Sequence, residues 1–297
     1  MPRSCNTVSL ALRSGERVGG VGVRGKCSYT FDMNISAYLS RTGFQGEPAP
    51  TLATLNALIL AHVKSIPFEN LDVLLGRRID LADETVERKL VQDRRGGYCF
   101  EQNPLFARVL TALGFETQSI SARVRLGRER HFTPPRTHVF NLVTLEGERW
   151  VVDVGVGGLS PTSALRLDDG GEQATPHEPR RIVREAALLF HQARLGEAWV
   201  DVCEFTLEAM PPIDREVANW FTSAHPDSHF RNRLVVARAL DEGGRLTLLN
   251  RELTRRGRDG VGQTTLLEHP EALLEALATH VDLHFPAGTR FEGPPFA

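Results

Sequence analysis

Three residues of this 297-residue chain have the types that covalent catalysis needs: Cys99, His138 and Asp153. They follow one another at intervals of 39 and 15 positions. A cysteine acts as a nucleophile when a nearby base takes its proton and a third group orients that base. In such an arrangement His138 is the base and Asp153 orients its imidazole. The alternative for Cys99 is the ordinary fate of a free cysteine, a small apolar side chain in the core.

The local sequence around Cys99, "DRRGGYCFEQN", favours a reactive thiol. Pro104 has no N–H and is tolerated only in the first turn of a helix, so a helix is expected to begin near Phe100. Cys99 then lies at the helix N-terminus, where unpaired N–H groups and the helix dipole favour a thiolate. Gly96 and Gly97 would let the backbone turn sharply or approach a ligand.

A predicted β-hairpin brings the other two residues together. The stretch "THVFNLVTLEGERWVVDVGVG" has two β-rich runs around Glu146-Gly147, a pattern typical of a two-residue turn. In that register His138 and Asp153 are diagonal neighbours on one face, at roughly 7–8 Å between backbones, within reach of a hydrogen bond. A slip of one residue would place them on opposite faces. Without a catalytic role, His138 would be a strand-edge histidine and Asp153 a buried turn acceptor.

The elements that must position these residues fall into three successive segments. Residues 33–116 show apolar side chains at 3- and 4-residue spacings, as in "TLATLNALILAHVKSI", which predicts helices. Residues 117–210 alternate with a period of two and include a second hairpin around Gly196. Residues 211–297 mix both patterns. The order predicts an α+β fold with three domains, a helical bundle, a β domain and a small α/β unit.

Residues 1–32 differ from the rest of the chain. They carry five basic side chains against two acidic ones and show no apolar periodicity. They also lack the unbroken apolar region of a secretory signal. Because "MNISAYLSRTGF" reads as the start of a helix-led domain, residues 1–32 are expected to be an extension that is disordered or not native.

Composition narrows the class of protein. The chain is 41% apolar and 24% charged with a net charge of -2, the balance of a globular protein without general affinity for nucleic acid. No apolar run approaches the roughly 20 residues that span a bilayer, so no membrane partner is expected. Four scattered cysteines do not resemble a disulfide framework, which favours the reducing cytoplasm.

The remaining histidines and cysteines give weaker signals. His225 and His229 have a spacing that could ligate a metal, but Pro226 lies between them and no third ligand is evident. No metal is therefore expected. His62 is expected at or near the surface of a helix, and Cys203 in the core of an alternating strand.

Several stretches together resemble the arylamine N-acetyltransferases. "RGGYCFEQN" is similar to their cysteine motif, "PRTHVFNLV" to their histidine strand and "WVVDVGVGG" to their aspartate strand. "IPFENLDVLLGR" and "NWFTSAHPDSHF" are similar to further family segments. The resemblance covers about residues 33–297. It implies a helical bundle (33–116), an antiparallel β-barrel (117–210) and an α/β lid (211–297) around a cysteine-protease-like catalytic core.

The resemblance also implies an acetyl transfer in two steps, in which acetyl-CoA is a co-substrate. Cys99 would take the acetyl group, His138 would act as base and acid, and Asp153 would orient the imidazole. CoA would leave, and the nitrogen of an arylamine or hydrazine, or the oxygen of an N-hydroxyarylamine, would accept the acetyl group. This scheme needs no metal and no tightly bound cofactor. The expected assembly is a monomer or homodimer that acts in xenobiotic metabolism.

Five more residues receive roles from the resemblance. Glu69 and Arg95 fall at a buried structural ion pair, and Phe230 falls at a contact with CoA. Val156 and Phe68 fall in the acceptor pocket. Val156 departs from the family, which usually has an aromatic residue at that position, and a smaller side chain there would widen the site.

Three alternatives remain open from the residues alone. A transglutaminase-like or other cysteine hydrolase uses the same residue types in the same order, but acts on amides without CoA. A family-related amide or macrolactam synthase would keep the triad and accept a larger or carrier-bound acyl chain. A binding protein with a relic triad would catalyse nothing. Turnover of acetyl-CoA with a simple arylamine separates the first and third from an acetyltransferase.

Overall fold

The computed structural model describes residues 33–292, and the first part of this range is helical. It contains α1 (Ile35–Thr42), α2 (Leu52–Ser65), α3 (Leu71–Leu74), α4 (Asp83–Glu87), a π-helical turn (Arg88–Gln92) and α5 (Cys99–Ala112). The hydroxyl of Thr51 caps α2 by accepting from the N–H of Thr54 at 3.2 Å. The predicted apolar face of α2, with Leu55, Leu58 and Ile59, is buried in a core shared with α1 and α5. The predicted extension, residues 1–32, lies outside the described residues.

Helix α5 begins one residue earlier than predicted, so Cys99 is its first residue. The Glu101 carboxylate accepts from the backbone N–H of Tyr98 at 3.1 Å, and this bond closes the first turn. Pro104 is the sixth residue of the helix, so the expectation that it would lie in the first turn is wrong. Its missing N–H leaves the carbonyl of Phe100 without the usual helical donor. The helix start is instead stabilised by the cap at Tyr98.

The central part is a seven-stranded antiparallel sheet that curls into a nearly closed barrel. Its strands, in the order β5-β4-β3-β2-β8-β7-β6, are β2 (Glu116–Val124), β3 (His138–Leu145), β4 (Glu148–Val152), β5 (Leu165–Arg166), β6 (Arg180–Glu185), β7 (Leu188–Leu195) and β8 (Ala198–Ala209). Leu145 pairs with Glu148, which confirms the predicted hairpin register. Glu146 and Gly147 both have positive φ, as a two-residue turn of this kind requires.

The last part contains two helices and a second sheet. They are α6 (Pro212–Ala224), β9 (Val235–Ala239), β10 (Arg245–Leu249), β11 (Glu252–Arg256), β12 (Gly262–Leu266) and α7 (Pro270–Val281). The edge of this sheet is β1 (Phe68–Glu69), which comes from the helical part and pairs with β9. The predicted α+β fold class is confirmed, while the division into three domains stays a prediction. No helix within residues 33–292 is long and apolar enough to cross a membrane.

His62 is a correction to the sequence-based prediction, because it is fully buried and does not lie near the surface. Its Nδ1 forms a hydrogen bond with the Tyr38 hydroxyl at 2.8 Å, and its Nε2 forms one with Gln102 Oε1 at 3.1 Å. Burial lowers the pKa of His62 to about 3, so the ring is neutral. Cys203 is buried in the barrel, as predicted.

Candidate active site

Cys99 is buried at the start of α5, beside the first residues of the barrel. Its thiol donates to the carbonyl oxygen of Thr137, with 3.6 Å between Sγ and oxygen. Thr137 immediately precedes His138 on β3, so the helix start and the strand start meet at this point. The sulfur therefore lies at the positive end of the α5 dipole.

The apolar residues packed with Cys99 come from every part of the described chain. The helical part supplies Phe68, Val73, Ile79, Tyr98 and Phe100; the barrel supplies Val139; and the last part supplies Met210, Ala218 and Ala237. The hydroxyl of Tyr98 also donates to the side-chain oxygen of Asn219 on α6. The thiol therefore lies where helices, barrel and second sheet converge.

His138 and Asp153 form a buried pair, each with 1% of its surface exposed. The distance from His138 Nε2 to Asp153 Oδ2 is 2.7 Å. Burial alone would lower the pKa of His138, but the Asp153 carboxylate and the Cys99 thiol outweigh it and raise the pKa to about 10. Burial opposes the charge on Asp153 as well, and His138 still holds the pKa of that carboxyl below its usual value. With Nε2 bound to Asp153, Nδ1 is the ring nitrogen that remains for the thiol.

Asn103 is a site residue that sequence reasoning missed. Its side-chain nitrogen donates to Asp153 Oδ1 at 2.9 Å and to the carbonyl of Val139 at 2.7 Å. Its side-chain oxygen accepts from the N–H of Val154 at 3.0 Å. The carboxamide thus fixes both the acid and the backbone beside it. The available signal was its spacing of four residues from Cys99, which puts both side chains on one helix face.

The two glycines before the cysteine are required by packing. A Cβ on Gly96 would overlap the carbonyl oxygen of Pro67. A Cβ on Gly97 would lie 2.6 Å from Glu101 Oε2, the oxygen that caps α5. The N–H of Glu69 donates to the Gly97 carbonyl at 3.0 Å, so this stretch is held directly against β1. The close approach fixes the start of the nucleophile helix.

Comparison with known proteins shows the family of this chain. A family model described as N-acetyltransferase matches residues 51–289. The arylamine N-acetyltransferase of Mycolicibacterium smegmatis is 41% identical over 262 residues, which are 86% of this chain and 94% of that protein. The chain belongs to the arylamine N-acetyltransferase family.

Further members of the arylamine N-acetyltransferase family match over most of their length. The arylamine N-acetyltransferase / N-hydroxyarylamine O-acetyltransferase of Salmonella typhimurium is 43% identical over 221 residues, 74% of this chain and 78% of that protein. The Mycobacterium marinum arylamine N-acetyltransferase in complex with CoA covers 84% of this chain and 92% of its own, with 38% identity and a TM-score of 0.80. The family predicted from the sequence motifs is confirmed.

The ion pair that the family resemblance indicated belongs to a larger buried network. Arg95 Nη2 lies 2.7 Å from Glu69 Oε1 and 3.2 Å from Asp72 Oδ1. Lys89 Nζ lies 2.8 Å from Asp72 Oδ2 and 2.7 Å from Glu101 Oε1. Because Glu101 also caps α5, the network links β1 and the π-helical turn to the helix that carries the nucleophile. Sequence reasoning identified only one pair of this network.

The three residues to which the arylamine N-acetyltransferase resemblance gave roles toward CoA or the acceptor are divided between two clusters. Phe68 and Phe230 lie in the cluster of the nucleophile, with ring centroids 5.9 Å apart. Val156 is buried against Ala193 and Val202 of the barrel. Two of the three therefore belong to the cluster of the nucleophile and one lies on the barrel side. Their roles toward CoA and the acceptor stay predictions.

The histidines considered as metal ligands have other contacts. His225 Nδ1 accepts from the backbone N–H of Asp227 at 3.2 Å, and His229 packs edge-on against the ring of Phe230. In the part of the chain that the structure describes, no group of three or more His, Cys, Asp or Glu side chains is arranged to hold a metal ion.

Proposed function

We propose that this chain transfers the acetyl group of acetyl-CoA to the nitrogen of arylamines and arylhydrazines, and to the oxygen of N-hydroxyarylamines, through an acetyl thioester on Cys99. The observation that carries the proposal is the buried His138–Asp153 pair, 2.7 Å apart, beside a thiol at a helix N-terminus. The names of the relatives from Salmonella typhimurium and Mycolicibacterium smegmatis, and the CoA complex of the Mycobacterium marinum relative, support this substrate class.

In the first step the sulfur of Cys99 attacks the acetyl carbon of acetyl-CoA. The raised pKa of His138 favours an imidazolium beside a thiolate. A bond forms between the Cys99 sulfur and the acetyl carbon, and the bond from that carbon to the CoA sulfur breaks. The departing CoA thiolate takes the proton from His138. The start of α5 stabilises the negative charge of the thiolate and of the tetrahedral intermediate.

In the second step the amine nitrogen attacks the acetyl carbon of the thioester. The proton of the amine moves to the now neutral imidazole of His138, and the electron pair of the broken carbon–sulfur bond returns to Cys99. The thiolate–imidazolium pair is thereby restored. Asp153 keeps the ring oriented in both steps. Covalent catalysis lets one site serve two bulky substrates in turn.

The proposal includes a setting for this chemistry. A thiol nucleophile must stay reduced, and the four scattered cysteines suit a reducing compartment, so a cytoplasmic location is proposed. A monomer or a homodimer is proposed as the assembly. Acetyl-CoA is a co-substrate that leaves as CoA after each first step.

The test is to mix the protein with acetyl-CoA in the absence of any amine. We expect one CoA to be released per chain and one acetyl group to appear on the peptide that contains Cys99, followed by discharge when an arylamine is added. Cys99→Ala should abolish loading, and Cys203→Ala, which changes a buried cysteine of the barrel, should leave it intact. Continuous release of CoA and acetate without amine would indicate a hydrolase. Release of CoA only when the amine is present would indicate direct transfer without a thioester.

A further inference from the structure

Two buried arginines hold the far end of the loop that follows Asp153. We call residues 154–160 the post-β4 loop. Arg180 Nη1 donates to the carbonyl of Leu159 at 2.8 Å, and Arg245 Nη2 donates to the carbonyl of Ser160 at 2.9 Å. Arg180 is the first residue of β6 and Arg245 is the first residue of β10. Two adjacent residues of the loop, Leu159 and Ser160, are therefore bound to the barrel and to the second sheet, respectively.

A single carboxylate joins the two arginines. Glu178 Oε2 accepts from Arg245 Nε at 3.0 Å, Glu178 Oε1 lies 2.9 Å from Arg245 Nη2, and the same Oε1 accepts from Arg180 Nη2. Burial raises the pKa of Glu178, but the two guanidinium groups outweigh burial and lower it to about 2. The carboxylate is therefore charged at neutral pH. Arg180 is 0% exposed and Arg245 3%, so neither guanidinium is available to a ligand from solvent.

The fixed end of the loop determines the backbone position of Val156. The hydroxyl of Ser160 accepts from the N–H of Val156 at 3.1 Å, and the N–H of Ser160 donates to the carbonyl of Gly157 at 2.9 Å. Gly157 has a φ of +90°, and a Cβ there would lie 3.5 Å from the ring of Phe68. Because Arg245 fixes Ser160, it also fixes the backbone of Val156 and Gly157, and Gly157 packs against the ring of Phe68.

Asp153 is held by different partners. Its two carboxylate oxygens bind His138, Asn103 and the N–H of Gly155. None of these hydrogen bonds involves Glu178 or the two arginines, and the two groups are linked by the electrostatic attraction between Asp153 and Arg180. The near end of the post-β4 loop is thus fixed by the catalytic pair, and the far end is fixed by the buried ions. A change at the far end can move Val156 while Asp153 stays in place.

We propose that Glu178, Arg180 and Arg245 are positioning residues that set the wall of the acceptor pocket through Ser160. This inference rests on the proposed function and on the family resemblance, which implies that Val156 and Phe68 line that pocket. The three residues act on the second half-reaction, in which the amine must reach the acetyl thioester. They have little effect on the first half-reaction, in which Cys99 is acetylated.

The test measures the two half-reactions separately in Glu178→Gln. Loading is followed as CoA release without amine, and discharge is followed in single turnovers over a range of arylamine concentrations. We expect loading within about threefold of wild type and a rise of about tenfold or more in the half-saturating amine concentration, since misplacement of a substrate by about 1 Å can cost 10²-fold. The matched control is Glu87→Gln, a buried acid of the helical part that pairs with Arg108 at 3.2 Å. It should leave both half-reactions near wild type.

Ser160→Ala provides a second variant that leaves the buried ions in place. It removes only the hydroxyl that accepts from Val156, so it should also raise the half-saturating amine concentration and leave loading unchanged. This variant decides the question if Glu178→Gln does not fold. Unchanged amine dependence, or equal losses in loading and discharge, would overturn the positioning role. Failure of the wild-type protein to load acetyl groups would instead refute the proposed function.

Discussion

Asn103 and Asp153 are joined by a hydrogen bond of 2.9 Å between the carboxamide nitrogen and Oδ1. Asn103 lies four positions after Cys99 on α5, so one helical turn separates the nucleophile from the residue that fixes the orienting acid. The same carboxamide accepts from the N–H of Val154, which follows β4, and donates to the carbonyl of Val139 on β3. A single helix therefore sets the distance between the thiol and the acid.

Asn103→Ala should slow acetyl loading by roughly 10- to 100-fold. Removing a donor to a buried charged group costs about 1–3 kcal/mol, and each 1.36 kcal/mol is a factor of about ten in rate. The measurement is the rate of CoA release without amine. Asn141→Ala is the matched control, because Asn141 is also fully buried and donates to the Asn103 carbonyl at 2.8 Å without touching Asp153. Equal losses in both variants would assign the effect to helix packing.

Asp153→Asn should keep the fold and remove most of the activity. The amide cannot balance an imidazolium, and it favours the wrong ring orientation in His138. The comparable change in a serine-protease triad lowers turnover by roughly 10⁴, which sets the expected scale. Steady-state turnover and melting temperature are measured on the same samples. Activity within tenfold of wild type would mean that Asp153 has only a structural role.

The stability of the protein should depend on pH through His138. Its pKa is about 10 in the fold, against roughly 6.5 in an unfolded chain. A raised pKa stabilises the folded state fully below the unfolded value, and the contribution is lost as the pH rises toward 10. We expect the free energy of unfolding of wild type, measured in urea, to fall relative to that of His138→Gln between pH 6.5 and 10. A constant difference across this window would show that the buried ring is neutral.

Neighbouring arginines should differ strongly in their contribution to stability. Arg95→Ala removes the partner of the fully buried Glu69 carboxylate and should lower the free energy of unfolding by about 3–5 kcal/mol. Arg94→Ala removes an exposed pair with Asp282 and should cost about 0–1 kcal/mol. Urea titrations of both variants measure the difference. Similar costs would mean that Lys89, the other cation of the network, compensates for the loss of Arg95.

A methyl group at Gly96 should disturb the start of α5. Gly96→Ala forces a Cβ into the Pro67 carbonyl, and overpacking of this kind typically costs about 1–3 kcal/mol. Because β1 and the helix start must separate, we also expect slower loading of Cys99. Gly170→Ala is the control, since a Cβ there meets no atom within 4 Å. Wild-type melting temperature in Gly96→Ala would contradict the packing explanation of the glycine pair.

The part of the site that could be predicted from the sequence depends on local geometry. The turn at Glu146-Gly147 sets the register of β3 and β4, and the register sets which residues share a face. His138 and Asp153 could therefore be paired by counting along the chain. The predicted start of α5 is right to within one residue although Pro104 lies beyond the first turn, and the bond from the Tyr98 N–H to Glu101 accounts for the helix start instead.

The features that escaped prediction depend on partners far away in the chain. His62 is buried because Tyr38 and Gln102, 24 and 40 residues away, satisfy its two ring nitrogens. Strand β1 has only two residues, too few for any periodicity, and its pairing partner begins at Val235. The role of Asn103 depends on the path of the loop after Asp153. The contacts of His62 and the pairing of β1 leave no pattern in their own segments, and the spacing of Asn103 from Cys99 does not reveal its contact with Asp153.

The pairing of Phe68 with Ala237 has a consequence for synthesis on the ribosome. All three triad residues precede residue 210, whereas Ala218 and Ala237, which belong to the same apolar cluster as the cysteine, are translated afterwards. A nascent chain therefore contains the whole triad before these residues are made, and β1 can pair with β9 only about 138 residues of elongation after Cys99, roughly 7–28 seconds at 5–20 residues per second. During that interval the thiol lacks the apolar neighbours that the last part of the chain supplies.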